Sequence, residues 1–450
     1  MIWKSNEVHK ERKLFQEIYC MPMNTEKEKK KCRLDSAGKL FTYSSSRKIP
    51  CVYRFWAEMK ELVDVDVLQK ALDTTFTRFP YFQVQLTRGL FWHRWKKALY
   101  PPRIEKEKKY PCQFIPIRNK NTFPYRIIAN QNQIVIEFFH GLTDGNGALQ
   151  FLRTLITQYL SLKGFTIDNW GDVFLPGEPV PLKETEYAYR KNFKVGIPKI
   201  PKIHRAFHLP FKRENKGVAY VTSGKVNVND ILAIAKKWNC TLTEFLTAIY
   251  IDVLQEIMFE LPERVRRRRK RHINVMLPID TRRIIPSKTM RNFITFIAPG
   301  IDPRKGRYSF EEIVERVHYY KKRYLNKKYI LQQISYYVAI EVNPFVNALP
   351  SFLKLLLVKP LYRKMGEELF SAFLTNLGKT NLPPEICNEV KDINILPMNH
   401  PYFKTGCGFI TYFNDLNINF VRNIKEDIVE EKFFNKLRFF GLDVKVRRLF

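Results

Sequence analysis

The segment from Gln133 to Leu160, with the sequence QIVIEFFHGLTDGNGALQFLRTLITQYL, constrains the fold more than any other part of the chain. Apolar residues alternate at Ile134, Ile136 and Phe138, which is typical of a β-strand. Glycines then interrupt this pattern, and apolar residues at helical spacing follow them. The segment therefore predicts a strand that stops at a tight loop, followed by a long helix.

Two residues of this loop carry side chains that are able to do chemistry. His140 ends the predicted strand, and Asp144 lies four residues further on. A phosphate-binding loop would have Gly-Lys-Ser/Thr or G-x-G-x-x-G, and neither is present. The remaining interpretations are a buried histidine with Asp144 as a helix cap, or a catalytic base. The second is plausible chemically because imidazole, with a pKa near ~6.5, accepts a proton at neutral pH.

The rest of the chain mixes helices with strands in both halves. Residues 66–79 have the apolar spacing of a helix, with Asp66 as its predicted N-cap. In the second half, Thr241 and Glu244 have the spacing of a capping box before another helix. A two-residue turn at Asn414-Asp415 predicts a hairpin. Antiparallel strands alternating with helices indicate an α+β fold with two comparable lobes.

Changes in composition along the chain predict its organisation. We interpret residues 1–35 as a basic N-terminal arm and residues 36–190 as an N-terminal lobe. Residues 191–214, rich in proline and lysine without a period, are the predicted linker. Residues 215–450 then form the C-terminal lobe.

Composition excludes several classes of protein. Hydrophobic residues are 45% of the 450, which excludes a disordered or low-complexity chain. The formal charge of +33 attracts anions of any kind, without selecting among nucleic acid, membrane and phosphorylated molecules. The 7 cysteines are scattered, which argues against a disulfide scaffold or a zinc ribbon. The N-terminal residues lack a signal-like apolar stretch, and no run approaches ~20 apolar residues. We therefore expect a cytoplasmic protein without an integral membrane segment.

Several motifs resemble those of one superfamily. His140 to Gly145 resembles the H-x-x-x-D-G signature of the condensation-domain and alcohol-acetyltransferase superfamily, which includes relatives of chloramphenicol acetyltransferase. Residues 277–283 (LPIDTRR), 291–293 (RNF) and 374–378 (LTNLG) resemble later family motifs in the same order. The resemblance spans about residues 45 to 445. It is strongest to bacterial alcohol acetyltransferase-like proteins.

The chain also departs from the family pattern. Phe139 stands where many peptide-synthetase condensation domains carry a second histidine, which favours a free-standing acyltransferase. The late D-F-G-W-G segment of several branches is missing. Thr375 replaces a frequent serine, so a hydroxyl is retained at this position.

The resemblance implies a two-lobed, chloramphenicol-acetyltransferase-like fold with mixed sheets and a site between the lobes. His140 would be the general base for direct attack of an acceptor on an acyl thioester. Asp144 would pair with Arg282, or alternatively with Arg283, and support the loop. Gly145 would permit the turn. Two further residues, Thr375 and Asn292, are candidate donors to the tetrahedral oxyanion, against a plain packing role.

The resemblance also implies the substrates. Acyl-CoA would be a co-substrate rather than a permanently bound cofactor, and an alcohol would accept the acyl group, with acetyl as the expected donor group. The alternatives are an amine acceptor, an acyl carrier protein as donor, or a non-catalytic scaffold of the same fold.

Other charged and metal-ligating residues give weaker signals. The basic run of residues 264–271 is either a solvated loop or a landing site for CoA phosphates or an acidic carrier protein. Its candidate phosphate contacts are Arg266, Arg267, Arg268 and Arg269. No nucleic-acid-binding module accompanies this run. His204 and His208 have no third ligand in the pattern, and we expect no metal site.

Overall fold

A computed structural model describes residues 31–269, 271–399 and 403–450. Thirty residues of the predicted arm, 1–30, lie outside this range. The described helices are α1 (Ser36–Ser44), α2 (Val65–Arg78), α3 (Gly145–Leu162), α4 (Ala188–Lys191), α5 (Val228–Lys237), α6 (Leu242–Glu260), α7 (Glu263–Arg269), α8 (Phe310–Tyr324), α9 (Lys327–Val342), α10 (Pro344–Ala348), α11 (Ser351–Met365), α12 (Pro384–Cys387) and α13 (Ile428–Phe439).

The described strands form three sheets. They are β1 (Lys31–Arg33), β2 (Val52–Met59), β3 (Val84–Thr87), β4 (Arg94–Lys97), β5 (Glu105–Lys106), β6 (Tyr125–Asn130), β7 (Gln133–Phe139), β8 (Tyr220–Asn227), β9 (Ile273–Asp280), β10 (Ile294–Ile297), β11 (Gly300–Ile301), β12 (Ala372–Thr380), β13 (Val390–Leu396), β14 (Thr405–Tyr412), β15 (Asp415–Arg422) and β16 (Lys445–Arg448). This mixture of helices with largely antiparallel sheets is the predicted α+β class.

The N-terminal lobe is built on a five-stranded sheet in the order β13-β2-β7-β6-β5. Its apolar face packs against α2 and α3, whose buried residues include Leu68, Leu72, Leu152 and Leu155. A small sheet, β1-β4-β3, lies beside it. Five residues, 140–144, separate β7 from α3, and because β7 is the central strand of the sheet, this loop lies at the end of its middle strand.

The C-terminal lobe contains the larger sheet, in the order β10-β9-β12-β14-β15-β8-β16, with β11 paired to β9. The long helix α6 is buried against it along most of its length. Its capping box is present as the sequence predicts, with Thr241 and Glu244 bonding reciprocally. The hairpin of β9 and β10 brings the end of β9 to the start of β10, because Asp280 pairs with Ile294.

One strand of the C-terminal half belongs to the N-terminal sheet. β13 pairs antiparallel with β2, with Ile395 opposite Phe55. Its side chains also contact β14 and β15 of the larger sheet. A cut at residue 215 therefore does not divide the sheets cleanly, since both halves of the chain supply the first lobe.

The ends of the predicted segments are packed rather than loose. The last residues of the predicted arm form β1 and bury Leu34 and Asp35. Within the predicted linker, Ala206 and Phe207 are buried, and Ala206 forms a bridge with His272 at the start of β9. The segment shows no hydrophobic period because it is extended and lies on the C-terminal lobe.

Two local predictions need correction. Asp64, rather than Asp66, caps α2, because its carboxylate accepts hydrogen bonds from the next turn's backbone at Asp66 and Val67. The hairpin turn consists of Phe413 and Asn414, since Tyr412 pairs with Asp415. In the described part of the chain, no helix combines the length and apolar character needed to cross a bilayer.

Candidate active site

His140 follows β7 directly and is held from its backbone. Its N–H donates to the carbonyl of Cys51 at 2.8 Å, which continues the pairing of β7 with β2. The strand therefore fixes the position of the histidine, and the turn after it carries the chain away toward α3.

Two aromatic rings enclose the imidazole. Phe41 of α1 stacks on it with ring centroids 4.5 Å apart, and Tyr53 of β2 meets it edge-on at 4.9 Å. The Tyr53 hydroxyl donates to the carbonyls of Thr143 and Asp144 at 3.0 and 2.9 Å. Tyr53 thus shapes both the ring's surroundings and the loop that follows.

Asn292 binds His140 through both ends of its amide. Its Nδ2 donates to the His140 carbonyl at 3.0 Å, and its Oδ1 lies 3.2 Å from Nδ1 of the imidazole. The carbonyl only accepts, so the amide nitrogen must face it, and Oδ1 is left facing the ring. Since Oδ1 also only accepts, Nδ1 carries the proton.

This assignment determines what the other ring nitrogen does. In a neutral imidazole with a proton on Nδ1, Nε2 carries the free lone pair. Nε2 makes no hydrogen bond to a residue within the described ranges. Burial lowers the pKa of His140 below its ordinary value of 6.5, and Asp144 and Asn292 oppose this only in part. The neutral form with a basic Nε2 is therefore the form present at pH 7.

Asp144 holds the loop by four hydrogen bonds. Its Oδ1 caps α3 by accepting from the backbone of Asn146 and Gly147 at 3.2 and 3.3 Å. Its Oδ2 accepts from Arg282 Nη1 at 2.9 Å and from the backbone N–H of Phe293 at 2.8 Å. The helix-cap interpretation and the arginine pairing thus both hold in the structure.

Arg282 stabilises the loop that carries Asn292 by hydrogen bonds to several of its groups. Its guanidinium donates to Asp144 and Asp280, and to the carbonyls of Thr289 and Arg291 at 2.9 and 2.6 Å. Arg283, the alternative partner, is exposed instead. A carboxylate on the first lobe and a guanidinium on the second therefore fix Asn292 against His140.

Gly145 serves close packing rather than the turn. It is the first residue of α3 and does not adopt a left-handed conformation. A Cβ there would lie 2.9 Å from Leu377 Cδ1, on β12. The glycine therefore lets the two lobes approach each other beside His140.

Thr375 lies on the same strand, two residues before Leu377. The register of β12 shifts between Asn376 and Lys379, so alternation does not relate Thr375 to Leu377. The Asn376 amide donates to Thr243 of α6, which places the adjacent Thr375 on the opposite face of the strand. None of the described hydrogen bonds or ring contacts of His140 involves Thr375. Asn292 does contact the histidine, but as its support.

None of the described contacts of His140 involves the basic run. Arg266 to Arg269 lie in α7, which has no buried residue. Arg267 pairs with Glu263 of the same helix at 2.6 Å. The helix precedes β9, whose 8 residues span about 26 Å before Asp280 and Arg282 are reached.

His204 of the predicted linker stacks on His272, with ring centroids 4.3 Å apart. Within the described ranges, no three histidine, cysteine or acidic side chains converge as metal ligands.

The sequence interpretation missed the cover of the site. The helix α1 brings Phe41 onto His140, and Gly38 allows its approach, since a Cβ there would lie 2.7 Å from the Gly141 carbonyl. Asp35, which caps α1 through the Gly38 N–H, is a signal that could have shown this helix.

No protein-family model and no curated protein sequence matches the chain. Solved structures do match it over nearly its whole length. Polyketide synthase associated protein 5 from Mycobacterium tuberculosis is 14% identical, with a TM-score of 0.57, covering 90% of this chain and 96% of that one. Trichothecene 15-O-acetyltransferase from Fusarium sporotrichioides is 9% identical, with a TM-score of 0.58, covering 92% and 96%.

A third similar structure is the starter condensation domain of rhizomide synthetase in complex with C8-CoA. It is 13% identical, with a TM-score of 0.56, and the match covers 93% of this chain and 96% of that one. The predicted architecture is therefore confirmed: the chain has the two-lobed fold of the condensation-domain and acyltransferase superfamily.

Proposed function

We propose that the protein transfers an acyl group from acyl-CoA to the hydroxyl of an alcohol. The observation that carries the proposal is the partly buried, neutral imidazole of His140, whose Nδ1 is bound by Asn292 and whose Nε2 is left to accept a proton. A base fixed in one tautomer is what attack by a hydroxyl on a thioester requires.

The proposed reaction is a direct transfer. The acceptor O–H gives its proton to Nε2 while its oxygen forms a bond to the thioester carbonyl carbon. The tetrahedral intermediate then breaks its C–S bond, and the CoA sulfur takes the proton from the imidazolium. Acyl-CoA and alcohol enter, and ester and free CoA leave, so no acyl-enzyme is needed.

The remaining residues of the site either position the imidazole or stabilise the oxyanion. Asn292 and the Asp144–Arg282 pair position the imidazole and carry no proton in the reaction. Thr375 is the proposed oxyanion donor, because it retains a hydroxyl and lies on the face of β12 that points away from α6. One such donor is worth about 10²–10³-fold in rate. The use of acyl-CoA is supported by the complex of the similar starter condensation domain with C8-CoA.

The test is release of free CoA thiol from acetyl-CoA with a panel of alcohols, using His140→Ala. We expect kcat per folded molecule to fall about 10²–10⁴-fold, with the melting temperature retained. His318→Ala is the matched control, because this histidine is 45% exposed on α8. A folded His140→Ala protein with normal kcat would overturn the proposal.

The same assay separates the alternatives. Amines in the panel, with product mass, distinguish amide from ester formation. An acylated carrier protein replaces acetyl-CoA to test the other donor. A scaffold would transfer nothing from either donor, in the wild type as in the variant.

A further inference from the structure

A surface of six large apolar side chains lies on α10, α11 and the loop between β3 and β4. We call it the apolar face. Its members are between 47% and 84% exposed: Leu90, Phe91, Phe345, Phe352, Leu356 and Leu357. Large contiguous apolar patches on a folded protein mark a site for a partner or a membrane.

Hydrogen bonds join the two segments into one surface. The Ser351 N–H donates to the Leu90 carbonyl at 2.7 Å, and Lys354 Nζ donates to the Phe91 carbonyl at 2.7 Å. The indole of Trp92 donates to Asn347 Oδ1 at 2.7 Å. The exposed phenylalanines and leucines therefore belong to segments that hydrogen bonds hold together, rather than to a free loop.

The helix α11 reverses the usual arrangement of charged and apolar residues. Lys354 is 2% exposed, with its ammonium 3.8 Å above the Trp92 ring, whereas Phe352 and Leu356 are 62% and 69% exposed. These two are four residues apart, so they share one side of the helix. Exposure of these apolar side chains to water is unfavourable, which indicates that an apolar surface covers this side of the helix.

Cations flank the apolar face on the same hairpin. Arg88 precedes Leu90, and Lys96 and Lys97 follow on β4, all three exposed. The neighbouring β1 adds an exposed Arg33, which pairs in register with Arg94. The whole chain carries +33, so its charge is complementary to that of anionic headgroups.

We propose that the apolar face inserts into the interface of an anionic lipid bilayer, with these cations against the headgroup phosphates. Apolar side chains flanked by lysine and arginine are the pattern of proteins that lie on a membrane without crossing it. Because α1 packs against α11 and carries Phe41 onto His140, the lipid surface would adjoin the cover of the candidate site. The inference goes beyond the proposed function and does not depend on it.

The experiment is sedimentation of the full chain with vesicles of phosphatidylcholine alone or mixed with phosphatidylserine. We expect binding to the mixed vesicles that weakens with salt. Phe345→Asp should lower the affinity at least about tenfold. Phe439→Asp is the matched control, because Phe439 is equally exposed at 84% but lies on α13, which packs against α6. It should leave the affinity unchanged.

A second arm tests the cations. Lys96→Gln with Lys97→Gln should weaken binding to the mixed vesicles by roughly fivefold per lysine. Thermal melts show that each variant is folded. Absence of binding to the mixed vesicles, or equal loss with Phe345→Asp and Phe439→Asp, would overturn the proposal. Concentration-dependent dimerisation lost in Phe345→Asp, without vesicle binding, would assign the face to a second copy of the chain instead.

Discussion

Two buried aspartates cap the helices on either side of His140, and their surroundings differ. Asp144, before α3, accepts from Arg282 at 2.9 Å and from three backbone N–H groups. Asp35, before α1, accepts from the Gly38 N–H at 2.6 Å, and its second oxygen is 3.5 Å from Arg291 Nε. Burial raises the pKa of Asp35 to about 6, with Arg291 opposing it only in part.

This contrast indicates which part of the site is held by more charge-assisted hydrogen bonds. The loop beneath the imidazole is bound from both lobes through charge-assisted hydrogen bonds. The cover above it, α1, depends on a carboxylate that changes charge near neutral pH. We expect the loop to set the chemistry and the cover to respond to pH.

The largest expected effect is on the loop. Arg282→Ala should lower the free energy of unfolding by about 3–5 kcal/mol, because it leaves the buried Asp144 carboxylate without its cation. Asp144→Asn should cost less, because Asp280 remains paired with Arg282. The double variant should lose much less than the sum. Urea denaturation of the three proteins measures this coupling.

An exposed pair provides the control for that cycle. Arg267 and Glu263 of α7 form such a pair, with side chains 78% and 62% exposed, and Glu263→Gln should lower the free energy of unfolding by only about 0.2–1 kcal/mol. Strictly additive losses for Asp144 and Arg282 would show that the loop is not held by their pairing.

The next effect concerns the ring itself. Activity requires neutral His140, and burial lowers its pKa, so wild-type kcat should stay level until the pH falls below 6.5. Asn292→Asp keeps an acceptor for Nδ1 but places a negative charge beside the ring, which favours imidazolium. The acid limb of the kcat profile should then move upward by about one pH unit or more.

The same variant discriminates between roles for Asn292. If its amide were an oxyanion donor rather than the support of the imidazole, Asn292→Asp would lower kcat at all pH values without moving the acid limb. A thermal melt at each pH excludes unfolding as the cause.

A smaller effect is expected on the cover. The folded pKa of Asp35, about 6, lies above its ordinary value of 3.8, so this carboxyl favours folding in its protonated form. Its contribution is fully present below about 3.8 and is lost as the pH rises through 6. When the pH is lowered from 7 to 5, the free energy of unfolding of the wild type should rise by about 1 kcal/mol relative to that of Asp35→Asn. If the stabilities of the wild type and of Asp35→Asn changed equally with pH, the proposed contrast between Asp35 and Asp144 would be wrong.

The smallest effect is expected for substitutions outside both the loop of Asp144 and the helix α1. Replacing Arg266, Arg267, Arg268 and Arg269 by glutamine should change the KM for acyl-CoA by less than about twofold at physiological salt, because α7 has no buried residue and exposed charges are largely screened beyond about 8 Å. A larger rise in KM, weakened by salt, would restore this run as the site of CoA phosphate contacts.

The local features of the site could be predicted from the amino-acid sequence. Strand alternation before His140, the loop ending at Asp144 and the helix after it follow from neighbours within a few residues. The same applies to the capping box at Thr241. The partner of Asp144 came from the resemblance, which left Arg282 and Arg283 open.

The surroundings of these features depend on tertiary packing and could not be predicted from the sequence. The clamp of Asn292 on His140 joins residues 152 apart, and β13 enters a sheet whose other strands lie more than 250 residues earlier. Phe41 reaches the imidazole from a helix with a weak apolar pattern. Such contacts depend on how whole elements pack, and packing energy is shared among many residues, so no short pattern in the chain records it.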